Sequence, residues 1–356
     1  MILERLKLKE FRSYSKKLIE FSPNTTLILG KNTAGKTNII ESVWMLALGK
    51  SFRAEQDREV IAWDNELAVI HGDISGDGDV TSLDLFITQG TVQGQKAPMK
   101  KYTVNGIPRR QADFVGNLRV VMFWPEHLEL ITDSPSVRRR YLDSVLVQVD
   151  SEYRRNLLSY EKGLRQRNSL LGAIQEGKAS RSQLLFWDQL LIKAGGYLTE
   201  KRMELIHYIN SFELSDVSYQ ITYDKSVISE SRLDQYKMEE VASGTTLVGP
   251  HRDDFIVSKY QVSNSKFQIY KELAKYGSRG EQRLGVLWMK LAELSFVQEK
   301  TGTRPILLLD DIFSELDEGH KQLVMDVVSK QQTIITSAEA DILELFPKKT
   351  LSLLRL

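Results

Sequence analysis

The chain has 356 residues, 42% of them hydrophobic and 27% charged, with a formal net charge of +1, a balance ordinary for a globular protein and too neutral to draw nucleic acid globally. It contains no cysteine, which excludes disulfides, zinc–thiolate sites and Cys-held iron–sulfur clusters. The start MILERLKLKEF carries scattered charges and no signal-peptide core, and no apolar run in the chain reaches membrane length, so a cytoplasmic location with no membrane partner is expected.

From the N-terminus, residues 2–9 and 17–29 read as strands, the second ending in the apolar run Leu27–Leu29 before Gly30. Ile40, Val43, Trp44 and Ala47 then fall at helical spacing, and Gly49 closes that helix. Residues 66–122 carry alternating and β-branched residues between Gly-rich breaks, with Asn105-Gly106 as a hairpin turn, which predicts an antiparallel sheet. From 137 the period changes. Leu142, Leu146, Val149, Tyr153, Leu157, Tyr160 and Leu164 step by three or four and predict one long helix. After a break at 172–182, Leu184, Trp187, Leu191, Leu198, Leu205 and Ile209 predict a second helix, making a hairpin with arms of about 30 residues, roughly 45 Å each. Residues 136–202 hold 13 Lys/Arg against 7 Asp/Glu; this basic segment is either a solvated helix face or an anion contact. Residues 213–275 show no clear period. A helix through Leu284, Leu287, Leu291 and Leu294, the strand PILLLDD, a helix near 316–330 and the strands QTIITS and LSLLRL complete the chain.

Gly30-Lys31-Asn32-Thr33-Ala34-Gly35-Lys36-Thr37 follows the strand and opens the helix, and it matches G-x-x-x-x-G-K-[ST] in full. The glycines let successive N–H groups turn toward phosphate oxygens, helped by the helix N-terminus. Lys36 is placed for the β- and γ-phosphates of ATP and the Thr37 hydroxyl for Mg2+. Such a loop needs an acidic strand. PILLLDD supplies Asp310 for the metal and Asp311 to orient or deprotonate a water. The two parts lie at opposite ends of the chain, so the site must form by bringing both ends together around an inserted middle lobe.

YGSRGEQR (276–283) starts another helix. Ser278 and Gly280 there read alone as a helix cap, but their place upstream of the acidic strand resembles the signature motif of ABC-type ATPases, and SELD (314–317) resembles the D-loop. FRSY (11–14), LGKSFRA (48–54), FWPEHLELITDSPSVRRRYLD (123–143), GPHRDD (249–254) and LLLDDIFSELD (307–317) together resemble the RecF family of bacterial recombination-mediator ATPases across nearly the whole chain. The resemblance implies an α/β fold, an ABC-type P-loop ATPase head with an inserted, mostly helical second lobe. Lobe I would be 1–122 plus 297–356, and lobe II 123–296.

It further implies that residues 30–37, with Arg12 and Ser13, hold ATP, and that Thr37 and Asp310 hold Mg2+. Asp311 and Lys36 would be catalytic, with Ser278 and Gly280 touching the nucleotide of a second copy. Arg138, Arg139 and Arg140 are candidates for DNA phosphates, one of them pairing instead with Asp143 or Glu126. Glu126 itself falls where a Q-loop is expected. GPHRDD reads either as a turn with Arg252 bonded to Asp253 or Asp254, or as a ligand contact through His251.

The implied function is ATP-driven homodimerisation on duplex DNA at single-strand gaps, with slow, weak, DNA-stimulated hydrolysis for release, RecR as partner and RecA indirectly. A non-hydrolysing DNA clamp and the ATPase subunit of a membrane transporter are the alternatives. Three positions depart from the family pattern. Thr33 stands where Gly is usual and is expected to alter the loop slightly. Glu281 stands in place of Gln and brings negative charge toward the partner's γ-phosphate. Ser337 occupies the switch position in place of His.

Overall fold

The computed structural model describes all residues except 77, 215–217, 263–267, 317 and 347–350. It divides into two compact units, Met1–His127 with Glu293–Leu356, and Leu128–Ala292.

The split unit begins with β1 (Ile2–Phe11), β2 (Tyr14–Glu20), β3 (Thr25–Leu29), α1 (Lys36–Leu48), β4 (Leu67–Gly76) and β5 (Asp79–Thr88). A two-strand ribbon, β6 (Thr91–Val92) and β7 (Gln95–Lys96), precedes β8 (Lys100–Val104), β9 (Ile107–Arg109), α2 (Gln111–Phe114) and β10 (Val120–Phe123). The continuous unit holds α3 (Glu129–Thr132), α4 (Pro135–Val149), α5 (Ser151–Gln175), α6 (Leu185–Ser211), β11 (Ser218–Asp224), α7 (Glu230–Gln235), α8 (Lys237–Ser243), β12 (Asp254–Val262), β13 (Gln268–Glu272) and α9 (Leu273–Tyr276). α10 (Arg279–Thr301) leads back to the split unit, which β14 (Ile306–Asp310), α11 (Glu318–Val328), β15 (Thr333–Ser337) and β16 (Leu351–Arg355) complete.

The split unit is built on two sheets. An antiparallel one runs in the order β2-β1-β4-β5-β8-β9, and a parallel one in the order β10-β14-β15-β3-β16. The sequence pattern sorts them. In β4, Ala68, Ile70, Gly72 and Ile74 are buried while Val69, His71 and Asp73 are partly exposed, the alternation of a half-solvated sheet. In β3, β14 and β15 every residue is buried, as in a parallel sheet covered on both faces. α1 touches strands of both sheets, so it is apolar nearly all round, and Ile39 through Leu48 are all buried. The segment expected as one strand over 17–29 is two. Pro23 and Asn24 turn the chain between them, and β2 joins the antiparallel sheet while β3 joins the parallel one.

In the continuous unit α5 and α6 pack as the expected hairpin. The single long helix expected from 137 is two helices. Asp150 ends α4, and its carboxylate accepts the N–H groups of Glu152 at 2.8 Å and Tyr153 at 2.9 Å, capping α5. The apolar period runs through the break: Leu142 and Leu146 of α4 and Tyr153, Leu157 and Tyr160 of α5 are all buried. The segment that showed no period contains a three-stranded antiparallel sheet, β11-β12-β13. Among the described residues no helix is long and apolar enough to cross a membrane.

Candidate nucleotide site

β3 delivers the loop 30–37 to the N-terminus of α1. Gly35 caps the helix at φ 95, and a Cβ there would meet the Tyr14 hydroxyl at 2.7 Å and Ser13 Oγ at 3.1 Å. The position therefore requires glycine twice over. Thr33 also takes a left-handed conformation, φ 72. The loop is not reshaped to spare this β-branched residue. The residue adopts the strained conformation instead, at a cost on the order of 1–2 kcal/mol. Lys36, only 4% exposed, donates to the carbonyls of Gly30 at 2.9 Å and Lys31 at 3.3 Å, and its Nζ lies 3.6 Å from Asp311 Oδ2.

β14 runs beside β15, which runs beside β3, so the acidic strand end lies at the loop. Asp310 Oδ1 accepts from Thr37 Oγ1 at 3.3 Å and from Thr336 Oγ1 at 2.5 Å. Asp310 is buried, and burial pushes its pKa up against those two hydroxyls, which lower it. Among the described residues it forms no ion pair. Its hydrogen bonds come from the two hydroxyls, and the Arg53 guanidinium acts on it only through space, without a direct ion pair. One carboxylate and one hydroxyl, completed by phosphate oxygens and waters, is the donor set Mg2+ uses in nucleotide sites. No group of three or more acidic, His or Cys side chains suited to a metal occurs among the described residues. Asp311 is half-exposed at φ 50; its N–H donates to the Thr336 carbonyl at 3.2 Å and its Oδ1 accepts from Ala338 N–H at 3.1 Å.

The turn Arg12–Tyr14 lies against the loop. Tyr14 hydroxyl donates to the Gly35 carbonyl at 3.2 Å, and Asn38 Nδ2 donates to Ser13 Oγ at 2.9 Å. Arg12 and Ser13 line a cavity of about 910 Å3 together with Asn38, Arg53, Arg58 and Trp63, the last 93% exposed. Sequence pattern marks no role for Arg53 within LGKSFRA, nor for Asn38, Trp63 or Thr336. The place of Thr336 just before the switch position is the available signal for it. The Ser337 hydroxyl bonds locally, donating to the Glu339 carbonyl and accepting its N–H, while the Ser337 carbonyl accepts the Gly30 N–H at 3.2 Å.

Residues 30–37, Arg12, Ser13, Asp310 and Asp311 thus come together in the split unit. Glu126 lies in a 3-10 turn of the same unit. Of the D-loop segment, Ser314 donates to the Asp311 carbonyl at 3.0 Å, while Asp317 lies outside the described residues.

The remaining candidates belong to the continuous unit. Ser278 and Glu281 form a capping box. Ser278 Oγ accepts from Glu281 N–H at 3.3 Å and Glu281 Oε2 accepts from Ser278 N–H at 2.9 Å. Gly280 is exposed in the first turn of α10. The negative charge of Glu281 is not left bare; it is bound by Lys259 at 3.1 Å and Lys271 at 3.0 Å. The capping N–H and the two lysines hold its pKa down at about 2.

Arg138 pairs with Asp254 through Nε at 2.5 Å and Nη2 at 3.0 Å, and Arg139 donates to the Asp253 carbonyl at 2.7 Å. The expected partner Asp143 is taken by Arg202 at 2.8 Å. Only Arg140 of the three points its charge to solvent. Arg252 pairs with neither Asp253 nor Asp254; it donates to the Thr246 carbonyl at 3.1 Å. His251 bonds Tyr160 and the Thr246 carbonyl, and burial drives its pKa down to about 4, so it is a neutral structural group. Arg138, Arg139 and His251 are therefore not free for ligand in the way the sequence suggested, and Arg252 closes its turn through the Thr246 carbonyl rather than through an aspartate.

A parallel and an antiparallel sheet around a P-loop helix, with an acidic strand end at the loop and a helical insertion, define an ABC-type ATPase head of the SMC kind. The family model described as RecF/RecN/SMC N terminal domain matches residues 2–353. The chain is 36% identical to the DNA replication and repair protein RecF of Ligilactobacillus salivarius, over 95% of this chain and 91% of that one. It is 37% identical to the protein of that name from Lachnoclostridium phytofermentans, over 94% and 92%. A solved RecF–ATP structure from the RecFOR pathway superposes with a TM-score of 0.83 at 29% identity, covering 95% of this chain and 92% of that one. An SMC head bound to the winged-helix domain of ScpA shares the fold at a TM-score of 0.51 and 16% identity. The chain belongs to the RecF family.

Proposed function

We propose that this chain is an ATP-dependent DNA-binding protein of recombinational repair and a slow ATPase. The observation that carries the nucleotide reading is the buried Asp310 carboxylate, bonded by Thr37 and Thr336 at the mouth of a complete phosphate loop. In this reading Lys36 leaves the loop carbonyls for the β- and γ-phosphates, and Thr37 and Asp310 would hold Mg2+. When bound, such an ion would neutralise phosphate charge. Asp311, exposed and fixed by the Ala338 N–H, orients the attacking water. The nucleoside end falls in the cavity of Arg12, Ser13, Asn38 and Trp63, where an exposed indole offers a stacking face.

Two copies sandwich two ATP molecules, each offering Ser278 and Gly280 to the other's nucleotide. Lobes of 1–122 plus 297–356 and of 123–296 would carry the two halves of that sandwich. The capping box leaves the Ser278 hydroxyl proton available, and the lysine clamp on Glu281 removes its repulsion. With Thr33 accommodated in its left-handed conformation, the grounds for a non-hydrolysing clamp weaken. Closure then grips duplex DNA at a gap through phosphate contacts, with Arg140 rather than Arg138 or Arg139 contributing. Hydrolysis reopens it, with RecR as partner and RecA loading downstream.

The test is sedimentation of Asp311→Asn with Mg-ATP, with and without duplex DNA. A monomer-to-dimer shift on ATP, enhanced by DNA, is the expected result. A persistent monomer that binds ATP would rule out the sandwich.

A further inference from the structure

Glu41 sits one turn beyond Thr37 on α1, fully buried, and the nucleotide reading gives it no part. Four hydrogen bonds converge on its carboxylate. Arg12 donates from Nε at 2.9 Å and from Nη2 at 2.6 Å, Arg53 Nη2 donates at 2.7 Å, and Ser51 Oγ donates at 2.6 Å. Ser51 Oγ in turn accepts the N–H groups of Arg53 at 3.1 Å and Ala54 at 2.9 Å. This gives LGKSFRA its meaning: its serine and its arginine both close on one carboxylate. Arg53 also bonds Asn38 Oδ1, and Asn38 bonds Ser13. A continuous polar chain therefore runs from Arg12 through Glu41, Arg53 and Asn38 back to Ser13, and all of its members except Glu41 line the cavity.

We infer that Glu41 is a positioning residue of the nucleotide site, holding the Arg12 and Arg53 guanidiniums at the nucleoside end of the cavity. The inference rests on the ATP reading above and names what organises that end of the site. One buried negative charge against two guanidiniums leaves this cluster itself with a net positive charge, beside the Glu59 and Asp64 that also line the cavity. Without it the two arginines would repel each other. Arg12 is further pinned by a bond to the Glu59 carbonyl at 2.9 Å and by a left-handed backbone, φ 53. Among the described residues Arg53 Nε and Nη1 make no hydrogen bond. These are donors, and the ribose hydroxyl oxygens and the ring nitrogens of adenine are acceptors. Burial alone would raise the Glu41 pKa, but the hydrogen bonds of Arg12 and Arg53 bring it below the ordinary carboxylate value. The carboxylate is therefore ionised at neutral pH, and Gln, half donor, is no substitute for it.

The experiment compares binding of ATP and of inorganic tripolyphosphate to the intact chain and its variants. Tripolyphosphate reaches the loop but has no nucleoside. Glu41→Gln is expected to raise the Kd for ATP roughly tenfold while leaving tripolyphosphate unchanged. Arg53→Ala should do the same, and the double variant should be no worse than either single one, since both remove one unit. If Glu41→Gln does not fold, Arg53→Ala and Ser51→Ala carry the test with the same expected split. Equal losses for both ligands, or unchanged ATP affinity in every folded variant, would overturn the inference. A wild-type chain that binds neither ligand would overturn the nucleotide reading itself.

Discussion

The nucleotide site of the split unit and the charged core of the continuous unit are built from the same residue types and behave oppositely. In the core, Arg202 is almost fully buried and every side of it is answered. It donates to Asp143 at 2.8 Å, to Asp253 at 3.0 Å and to the Pro250 carbonyl at 2.7 Å, with Tyr153 against Nε at 3.1 Å. Asp253, fully buried, also accepts from Tyr223 and from Ser226 N–H at 2.7 Å. Nearby, Arg167 is closed by Asp188 at 2.6 Å, Glu240 at 2.7 Å and Thr246 at 2.9 Å. At the nucleotide site Lys36 rests on loop carbonyls and Asp310 on two hydroxyls. The difference separates charges that hold a fold from charges kept for a ligand: the first are saturated by short ion pairs, whereas Lys36 meets its carboxylate, Asp311, only at 3.6 Å and Asp310 forms no ion pair among the described residues.

The contrast faces its most severe test at Arg202. Arg202→Met should leave Asp253 buried, and Asp143 partly buried, without their ion-pair partner and destabilise the chain by about 3–5 kcal/mol, read as a lowered denaturant midpoint. Lys36→Ala should do the reverse: little change in midpoint, but loss of Mg-ATP hydrolysis by a factor on the order of 100 or more. If the two variants lost stability equally, the distinction between the regions would fail.

Asp310→Asn probes the same contrast from the ligand side. Because burial raises the Asp310 pKa in the folded state, its ionisation opposes folding. Its contribution is most favourable at low pH and is lost as pH rises through the folded pKa. The asparagine variant should therefore unfold at a slightly higher denaturant concentration near neutral pH while losing Mg2+-dependent nucleotide binding.

His71 provides a smaller, pH-dependent case on the antiparallel sheet. Its Nδ1 lies 2.7 Å from Asp84, and its Nε2 lies 3.0 Å from Asp73 without hydrogen-bond alignment. The Asp84 bond, opposed by burial, raises the His71 pKa, and the Asp84 pKa is lowered by the same bond. The histidine's contribution is complete below its unfolded pKa and is lost as pH rises through the raised folded value. The aspartate's contribution is lost as pH falls through its lowered one. A plot of unfolding midpoint against pH should flatten above pH ~6.5 in His71→Asn. The smallest effect belongs to Arg140→Ala, which should leave stability within about 0.5 kcal/mol and reduce the salt dependence of DNA binding by about one counterion.

The phosphate loop and the acidic strand were legible because their chemistry fixes residue types at adjacent positions. Gly35, Lys36, Thr37 and Asp310 could be placed without knowing their neighbours. The charged core was not legible, because its partners are chosen by the fold. Arg138 meets Asp254 across 116 residues and Arg202 meets Asp143 across 59, and no spacing rule selects Asp254 over Asp143 for an arginine at 138. The break at Asp150 was missed for a related reason. Apolar periodicity reports which residues are buried, and a capped break with buried residues at helical spacing on both sides leaves no mark on it. Glu41 looked like one polar residue in a buried helix; only the return of Arg12 and Arg53 to it shows why a charge is there.

The strand order of the parallel sheet sets a timetable for synthesis. β3 carries the phosphate loop, and both of its neighbours, β15 and β16, come from the far end of the chain. As the chain leaves the ribosome, five residues that end fully buried, Thr25–Leu29, wait with both edges unpaired until residues 333–337 and then 351–355 emerge. At about 5–20 residues per second that interval is roughly 15–60 s. Through it an apolar, β-branched edge is open to mispairing, while the continuous unit, whose partners lie closer in sequence, can already close. The nucleotide site is thus completed only after the continuous unit, and nascent chains should depend on a holding chaperone through that interval.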